Sequence, residues 1–134
     1  MVCIYCRGNL AVINSRPQLR TNQTWRRRKC LHCGAVFTSV EAIDLAKALS
    51  VSSKGELHAF SRDKLFISIY ESCRHRPAAN KDAGGLTDTI ISKLVSASTD
   101  GLVGGATIIN TASEVLKRFD TAAAIQYGAF HPIN

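Results

Sequence analysis

Apolar residues recur along this chain with two different periods. Up to about residue 40 they come in short runs broken by Gly, Asn, Pro and Arg. The segments Ala11–Asn14, Trp25–Lys29 and Val36–Val40 are partly β-branched or aromatic and predict small strands. Further on the spacing lengthens. Leu49–Ser52 and Glu56–Phe60 flank Ser53-Lys54-Gly55 and predict a hairpin. Ser61 stands as an N-cap, with Lys64 three residues on instead of the Glu of a full capping box. Leu65, Ile69 and Cys73 then recur at helical spacing until Arg76-Pro77, where the residue before proline is pushed out of the α region. A second helix is predicted from Asp82 to Ser96, with Leu86, Ile90, Ile91 and Leu94 on one side and Gly84-Gly85 near its start. A third is predicted over Ala106–Arg118 and carries Ile108, Ile109, Ala112, Val115 and Leu116. A fourth starts at Asp120 as N-cap and runs through Ile125 to Phe130, ahead of Pro132.

The change of period divides the chain into a small turn-rich module at 1–44, a short connector around Ala42–Leu49, and a mainly α-helical domain with a short β-hairpin over 49–131. The expected fold class is therefore α+β. With 134 residues and 46% hydrophobic content, the chain can bury a core, which excludes global disorder. No apolar run reaches the roughly 18 to 20 residues that span a membrane. Met1-Val2-Cys3-Ile4-Tyr5-Cys6 lacks the basic and apolar regions of a secretory signal, so a cytoplasmic setting is expected.

Charge and cysteine sharpen the division. The formal net charge is +7, and the first 40 residues hold Arg7, Arg16, Arg20, Arg26, Arg27, Arg28 and Lys29 with no acid. The remainder balances 10 basic against 10 acidic residues. Four of the 5 cysteines also lie in the basic part, as Cys3-x2-Cys6 and Cys30-x2-Cys33. Two such pairs supply the four thiolates of a tetrahedral structural zinc site, and a rubredoxin-like iron uses the same ligands. Two disulfides are the competing reading, disfavoured in a reducing compartment. Gly8 and Gly34 follow the two pairs, where a knuckle turn favours an unhindered residue. Cys73, within an amphipathic helix, reads as a buried apolar residue.

In a strand, Arg26 and Arg28 share one face, while Trp25, Arg27 and Lys29 share the other. Consecutive cations on a metal-pinned module, with no acid to neutralise them, point to the nucleic-acid backbone. Arg16 and Arg20 in the preceding hairpin widen the patch. Trp25 is expected to pack beneath the ribbon; stacking on a base is the alternative. No Ser/His/Asp, Cys/His or paired-carboxylate arrangement is evident, so no enzyme is expected. His32 reads as a surface residue between two ligands. A fragment of a larger enzyme is a further alternative, but a catalytic barrel of about 250 residues does not fit.

Cys3-x2-Cys6, Val12-Ile13-Asn14-Ser15-Arg16, Arg26-Arg27-Arg28-x-Cys30-x2-Cys33 and Phe37-Thr38-Ser39-x-Glu41 together resemble the N-terminal zinc ribbon of the NrdR family, bacterial transcriptional repressors of ribonucleotide reductase operons. Val51, Gly55, Phe60-x3-Lys64-Leu65, Arg76-Pro77, Val103, Ile108 and Asp120-x4-Ile125 are more weakly similar to the family's ATP-cone domain. The resemblance implies structural Zn2+ on Cys3, Cys6, Cys30 and Cys33. It implies contact with double-stranded promoter DNA through Arg16, Arg26, Arg27 and Arg28, the basic run being extended by Lys29. It implies regulation by ATP or dATP at a site including Val51 and Lys64. Nucleotide identity would set the homo-oligomeric state, and the protein would work in the bacterial cytoplasm, at the nucleoid when bound. The sequence departs from the family pattern at Trp25, where the first of four arginines usually stands, and at Ser52 and Gln126, where cations usually stand. Lys54 offers a substitute for the first of those two. The alternative function is a zinc-ribbon protein-interaction module with a degenerate cone that no longer senses nucleotide.

Overall fold

The computed structural model describes residues 1–132. The chain forms two compact units, Met1–Ile43 and a second from Asp44 onward.

The first unit is a three-stranded antiparallel sheet of β1 (Leu10–Gln18), β2 (Gln23–Cys30) and β3 (Val36–Glu41), with β2 in the centre. The β1 strand runs well past its apolar start, through Ser15, Arg16 and Pro17, because its pairing with β2 continues to Gln18↔Gln23. Hydropathy cannot signal that extension, since almost every residue of the strand keeps a solvated side chain. A bulge between Val12 and Asn14 leaves Ile13 as an extra residue and sets Asn14 opposite Arg27. Glu41 ends β3 and pairs in register with Thr24. Within this unit only Cys3 and Cys30 are buried.

The second unit contains α1 (Leu45–Ala48), β4 (Ser50–Ser53), β5 (Glu56–Ala59), α2 (Arg62–Ser72), α3 (Ala79–Ala97), β6 (Leu102–Gly104), α4 (Gly105–Phe119) and α5 (Thr121–Phe130). The sheet order is β5-β4-β6, with β4 antiparallel to β5 and parallel to β6. Lys54 and Gly55 both take positive φ, +50° and +79°, which makes the expected hairpin a tight two-residue turn of the I′ kind. Ser61 caps α2 by accepting a hydrogen bond from the Lys64 N–H at 3.3 Å, and Asp120 caps α5 by accepting one from Ala123 N–H at 3.0 Å.

Four details differ from the expectation. The connector holds a short helix, α1, whose C-cap Leu49 is buried. The α2 helix stops at Ser72, before Arg76-Pro77, and the turn is closed by Arg76 N–H donating to the Cys73 carbonyl at 2.9 Å. The α3 helix starts at Ala79 and takes in Gly84-Gly85, because Ala79 and Ala83 already face the core. Small residues of this kind carry little hydropathy and hide the first turn. Finally, Asp100-Gly101, with φ of +51° and +74°, makes a second tight turn that leads into β6. A Cβ at Gly101 would lie 2.5 Å from the Ala48 carbonyl oxygen, so both the conformation and the space require glycine.

The core of this unit gathers Leu49, Phe60, Ile69, Ile90, Leu94 and Leu116 with buried Tyr127. Cys73 is fully buried among them, as expected, and burial pushes its thiol pKa up. Arg76 sits over the Phe119 ring, 4.4 Å from its centroid, and donates to Asp82 at 2.8 Å and to Asp120 at 2.7 Å. His75 reaches the same Asp120 oxygen at 3.2 Å. These bonds tie the end of α2 to the starts of α3 and α5.

Candidate metal centre and basic face

The four cysteine sulfurs of the first unit lie within 4.8 Å of one another. Cys3 Sγ and Cys33 Sγ are 3.7 Å apart, and Cys6 Sγ and Cys30 Sγ are 3.4 Å apart. Zinc held tetrahedrally by sulfurs at about 2.3 Å needs neighbouring sulfurs about 3.8 Å apart, so the residues fit the ion. All four are free thiols and none is tied up in a disulfide.

The two knuckles are near-copies of each other. Cys3 N–H donates to the Gly8 carbonyl at 2.9 Å, and Cys30 N–H donates to the Ala35 carbonyl at 2.8 Å. Arg7 N–H donates to the Cys3 carbonyl, and Gly34 N–H to the Cys30 carbonyl. Backbone amides also point at sulfur: Tyr5 N–H at Cys3 Sγ (3.4 Å), Gly8 N–H at Cys6 Sγ (3.4 Å) and His32 N–H at Cys30 Sγ (3.3 Å). Such donors favour the thiolate that a metal needs. The Cys33 amide lowers the Cys30 thiol pKa to about 6, and the Cys6 amide lowers that of Cys3. At Cys33 the Ala35 amide acts in the same direction, but local desolvation and the three neighbouring sulfurs override it and push the thiol up to about 11. Without a cation, therefore, the quartet resists full ionisation, whereas a divalent ion compensates four converging negative charges.

The knuckle copies correct the reading of the glycines. The left-handed position after each pair is Arg7 (φ +65°) in one knuckle and Gly34 (φ +77°) in the other. Gly8 matches Ala35 instead, and is small for a different reason. A Cβ there would meet the His32 Cβ at 2.8 Å and the Cys6 sulfur at 3.2 Å. His32 is exposed and serves the site through its backbone.

The sheet grows directly out of this centre, since β2 ends at Cys30. Its register sorts the basic residues onto two unlike faces. Arg26 lies opposite Ser15 and Ser39, and donates to Ser15 Oγ at 3.1 Å and to Glu41 at 3.2 Å. Arg28, on the same face, donates to Ser39 Oγ at 2.7 Å. The basic run is therefore not free of acid as expected: Glu41, one residue past the acid-free stretch, folds back onto Arg26. On the other face Asn14, Arg16, Trp25, Arg27 and Thr38 line a shallow cavity of about 220 Å³. Arg16 and Arg27 are exposed and make no salt bridge among the described residues. Trp25 does not pack beneath the ribbon. It stays 43% exposed on this open face, and its Nε1–H donates to Gln23 Oε1 at 3.2 Å. Lys29 is exposed farther along the strand, opposite Ala11 and Val36.

Residues 1–41 match the family model described as "Transcriptional repressor NrdR-like, N-terminal domain". Over 131 residues the chain is 31% identical to a protein of Symbiobacterium thermophilum named Transcriptional repressor NrdR, covering 98% of this chain and 87% of that one. Like-named proteins of Rhizorhabdus wittichii and Methylacidiphilum infernorum are 33% and 31% identical over 98% of this chain, of which it covers 85% and 79% respectively. The chain belongs to the NrdR family.

For an NrdR chain, the second place of interest is the unit after the ribbon. There Val51, Phe60, Lys64, Ile108, Ile109 and Tyr127, together with His58 and His131, line a largely apolar cavity of about 290 Å³. Of the three residues expected at a nucleotide site, the fold brings Val51 and Lys64 together here. Lys54 stands on the β4–β5 turn and does not line the cavity. Arg62, near Lys64 in sequence, is tied to Asp88 at 2.9 Å. Tyr127 stacks on His131 with ring centroids 4.3 Å apart; burial pushes its phenol up to about 12 and lowers the pKa of His131. Sequence reasoning missed Tyr127, Phe60 and His131 as lining residues. Phe60 entered only as part of the Phe60-x3-Lys64-Leu65 motif, and an apolar residue in a sequence does not by itself distinguish core from cavity. It also missed Asn14 and Thr38 on the ribbon face: the place of Asn14 depends on the bulge at Ile13, and that of Thr38 on the β2–β3 register. No helix among the described residues is long and apolar enough to cross a membrane.

Proposed function

We propose that this chain is a zinc-dependent DNA-binding transcriptional repressor of ribonucleotide reductase genes. The observation that carries the reading is the four-cysteine cluster at the root of a sheet whose open face presents Arg16 and Arg27 with no carboxylate among its lining residues. Zinc supplies cross-linking and no chemistry, because four thiolates leave no open coordination position. Arg16 and Arg27 carry the main contacts with promoter DNA, and Lys29 adds charge farther along the strand. Arg26 and Arg28 contribute after releasing their Glu41 and serine partners. The second unit takes an adenine nucleotide in the cavity lined by Val51 and Lys64, ATP or dATP shifts self-assembly, and assembly tunes DNA affinity. Lys54 reaches the outer phosphates from its turn. The protein acts in the cytoplasm, at the nucleoid when bound to its promoter.

The test is binding to a ribonucleotide reductase promoter fragment as salt is raised. Affinity should fall linearly on a double-logarithmic plot, with a slope of about −0.9 per phosphate neutralised. Failure to bind any promoter fragment at low salt with zinc loaded overturns the reading. A second reading, an interaction module with a cone that no longer senses nucleotide, is favoured by the apolar lining of the cavity, where Lys64 is the only lysine or arginine among the described residues. Calorimetric titration with ATP and dATP, alongside solution mass, distinguishes the two. Heat and a change of mass support sensing; neither supports the module.

A further inference from the structure

We infer that the open face of the ribbon is a stacking platform for an unpaired nucleobase, with Trp25 as its floor. The inference goes beyond duplex binding and rests on the nucleic-acid reading of the ribbon. Three observations carry it. Trp25 is 43% exposed on a face where packing beneath the sheet would have hidden it. Arg16 lies directly across from it in register, and Arg27 is two residues along the same strand, so cations flank the indole. Asn14 and Thr38 complete a concavity of about 220 Å³, which supplies both amide and hydroxyl groups for the edge of a base.

Duplex DNA presents phosphates and base edges to a protein, and base planes stay stacked inside it. An indole face gains most from a base plane, which only a single strand, a loop or an extruded nucleotide offers. Aromatic platforms flanked by cations are the recurrent solution for such strands, because every base has a π face while arginines follow the backbone. Arginine at position 25 would add charge for phosphates; tryptophan in its place adds a flat apolar surface instead. The Gln23 bond to Nε1 fixes the ring by its polar edge. The chemical class recognised is thus an unpaired nucleotide, with its base on Trp25 and adjoining phosphates on Arg16 and Arg27.

The test uses the zinc-loaded full chain, whose single tryptophan makes indole fluorescence a site-specific probe. A single-stranded oligonucleotide should quench the emission, and an abasic strand of the same length should bind without quenching. Trp25→Ala should weaken single-strand binding, followed by anisotropy of a labelled strand, by about 10-fold or more, Trp25→Phe should restore most of it, and duplex promoter affinity should fall by a clearly smaller factor. Zinc stoichiometry confirms that each variant keeps its ribbon. Unchanged emission with the single strand, while duplex still binds, overturns the platform and leaves the repressor reading standing. Equal losses on single strand and duplex, or equal binding of abasic and normal strands, overturn it too. Absence of binding to either nucleic acid removes both readings.

Discussion

The two units solve the same stability problem by different means. In the ribbon only Cys3 and Cys30 are buried, while Ile4, Tyr5, Leu19 and Leu31 remain two-thirds or more exposed. In the second unit an apolar cluster runs from Leu49 to Tyr127 through every long helix. One unit is held by coordination bonds and the other by removal of hydrocarbon from water. The difference teaches why the charge is so uneven. A metal-pinned sheet has no apolar face to keep covered, so both its surfaces can be basic. A hydrophobically folded unit must keep one side of each element apolar, and its charges are distributed as pairs such as Arg62–Asp88 and Arg76–Asp82.

Substitutions that break one unit and spare the other test the comparison. The largest effect is expected from Cys30→Ser. Structural zinc contributes on the order of 10–16 kcal/mol of apparent binding free energy, and a site lacking one thiolate should lose its ion. Metal analysis should show zinc falling from one equivalent to none, while the helical circular-dichroism signal of the second unit persists. A parallel loss of helix would end the claim that the units are stabilised separately. Leu94→Ala is the reverse experiment. Its side chain is fully buried, and a cost of about 2–5 kcal/mol is expected in denaturant unfolding of the second unit, with zinc content unchanged.

Gly101→Ala should be next, destabilising the second unit by more than about 1 kcal/mol, because alanine at this positive φ also meets the Ala48 carbonyl. Thermal melting of the glycine and alanine forms checks it, and an unchanged midpoint would contradict the stated contact. Arg27→Ala should then flatten the salt dependence of DNA binding by about one unit of slope, whereas Arg26→Ala should alter it less, since Arg26 is already paired with Glu41. Equal effects of the two would show that the faces are not distinct.

The smallest effect concerns pH. The Ala123 amide, then Arg76 and His75, hold the Asp120 carboxyl well below the usual carboxylate range. Its folded-state pKa is thus depressed, so its contribution to stability is present above the unfolded value of about 3.9 and is lost as pH falls through the folded one. Asp120→Asn should lower stability at neutral pH and reduce the loss between neutral and acid conditions. An acid-unfolding profile identical to that of the unaltered chain would show that the Asp120 contacts with Arg76 and His75 do not set the acid stability of this unit.

The metal ligands were legible in the sequence because their chemistry depends on spacing alone. Helices α2, α4 and α5 were legible through Ser61, the run Ile108 to Leu116, and Asp120. What was hidden depends on register and on small residues. Strand alternation already put Arg26 and Arg28 on the face opposite Arg27; what it could not show is that Glu41, Ser15 and Ser39 engage the first face alone, which depends on register across the three strands. The start of α3 was masked by alanines that pack as tightly as leucines but weigh little in a hydropathy scan. The β6 strand has only three residues, and its one local signal was the Asp100-Gly101 dipeptide.

That short strand has a consequence for the order in which the second unit is built. The β4–β5 hairpin closes over two residues and can form early, but β6 must return across the whole of α2 and α3 to lie parallel to β4. Val103 and the Ser50 N–H bond to the Gly101 carbonyl are therefore expected to form late. The cavity is lined by Val51 of β4 together with Ile108 and Ile109 of α4, the helix that follows β6, so it should not be complete before that return. Hydrogen exchange should find the Ser50 amide opening together with the cavity wall. A small molecule seated there should act as a clasp on this long-range closure, reporting its presence through the kinetics of opening.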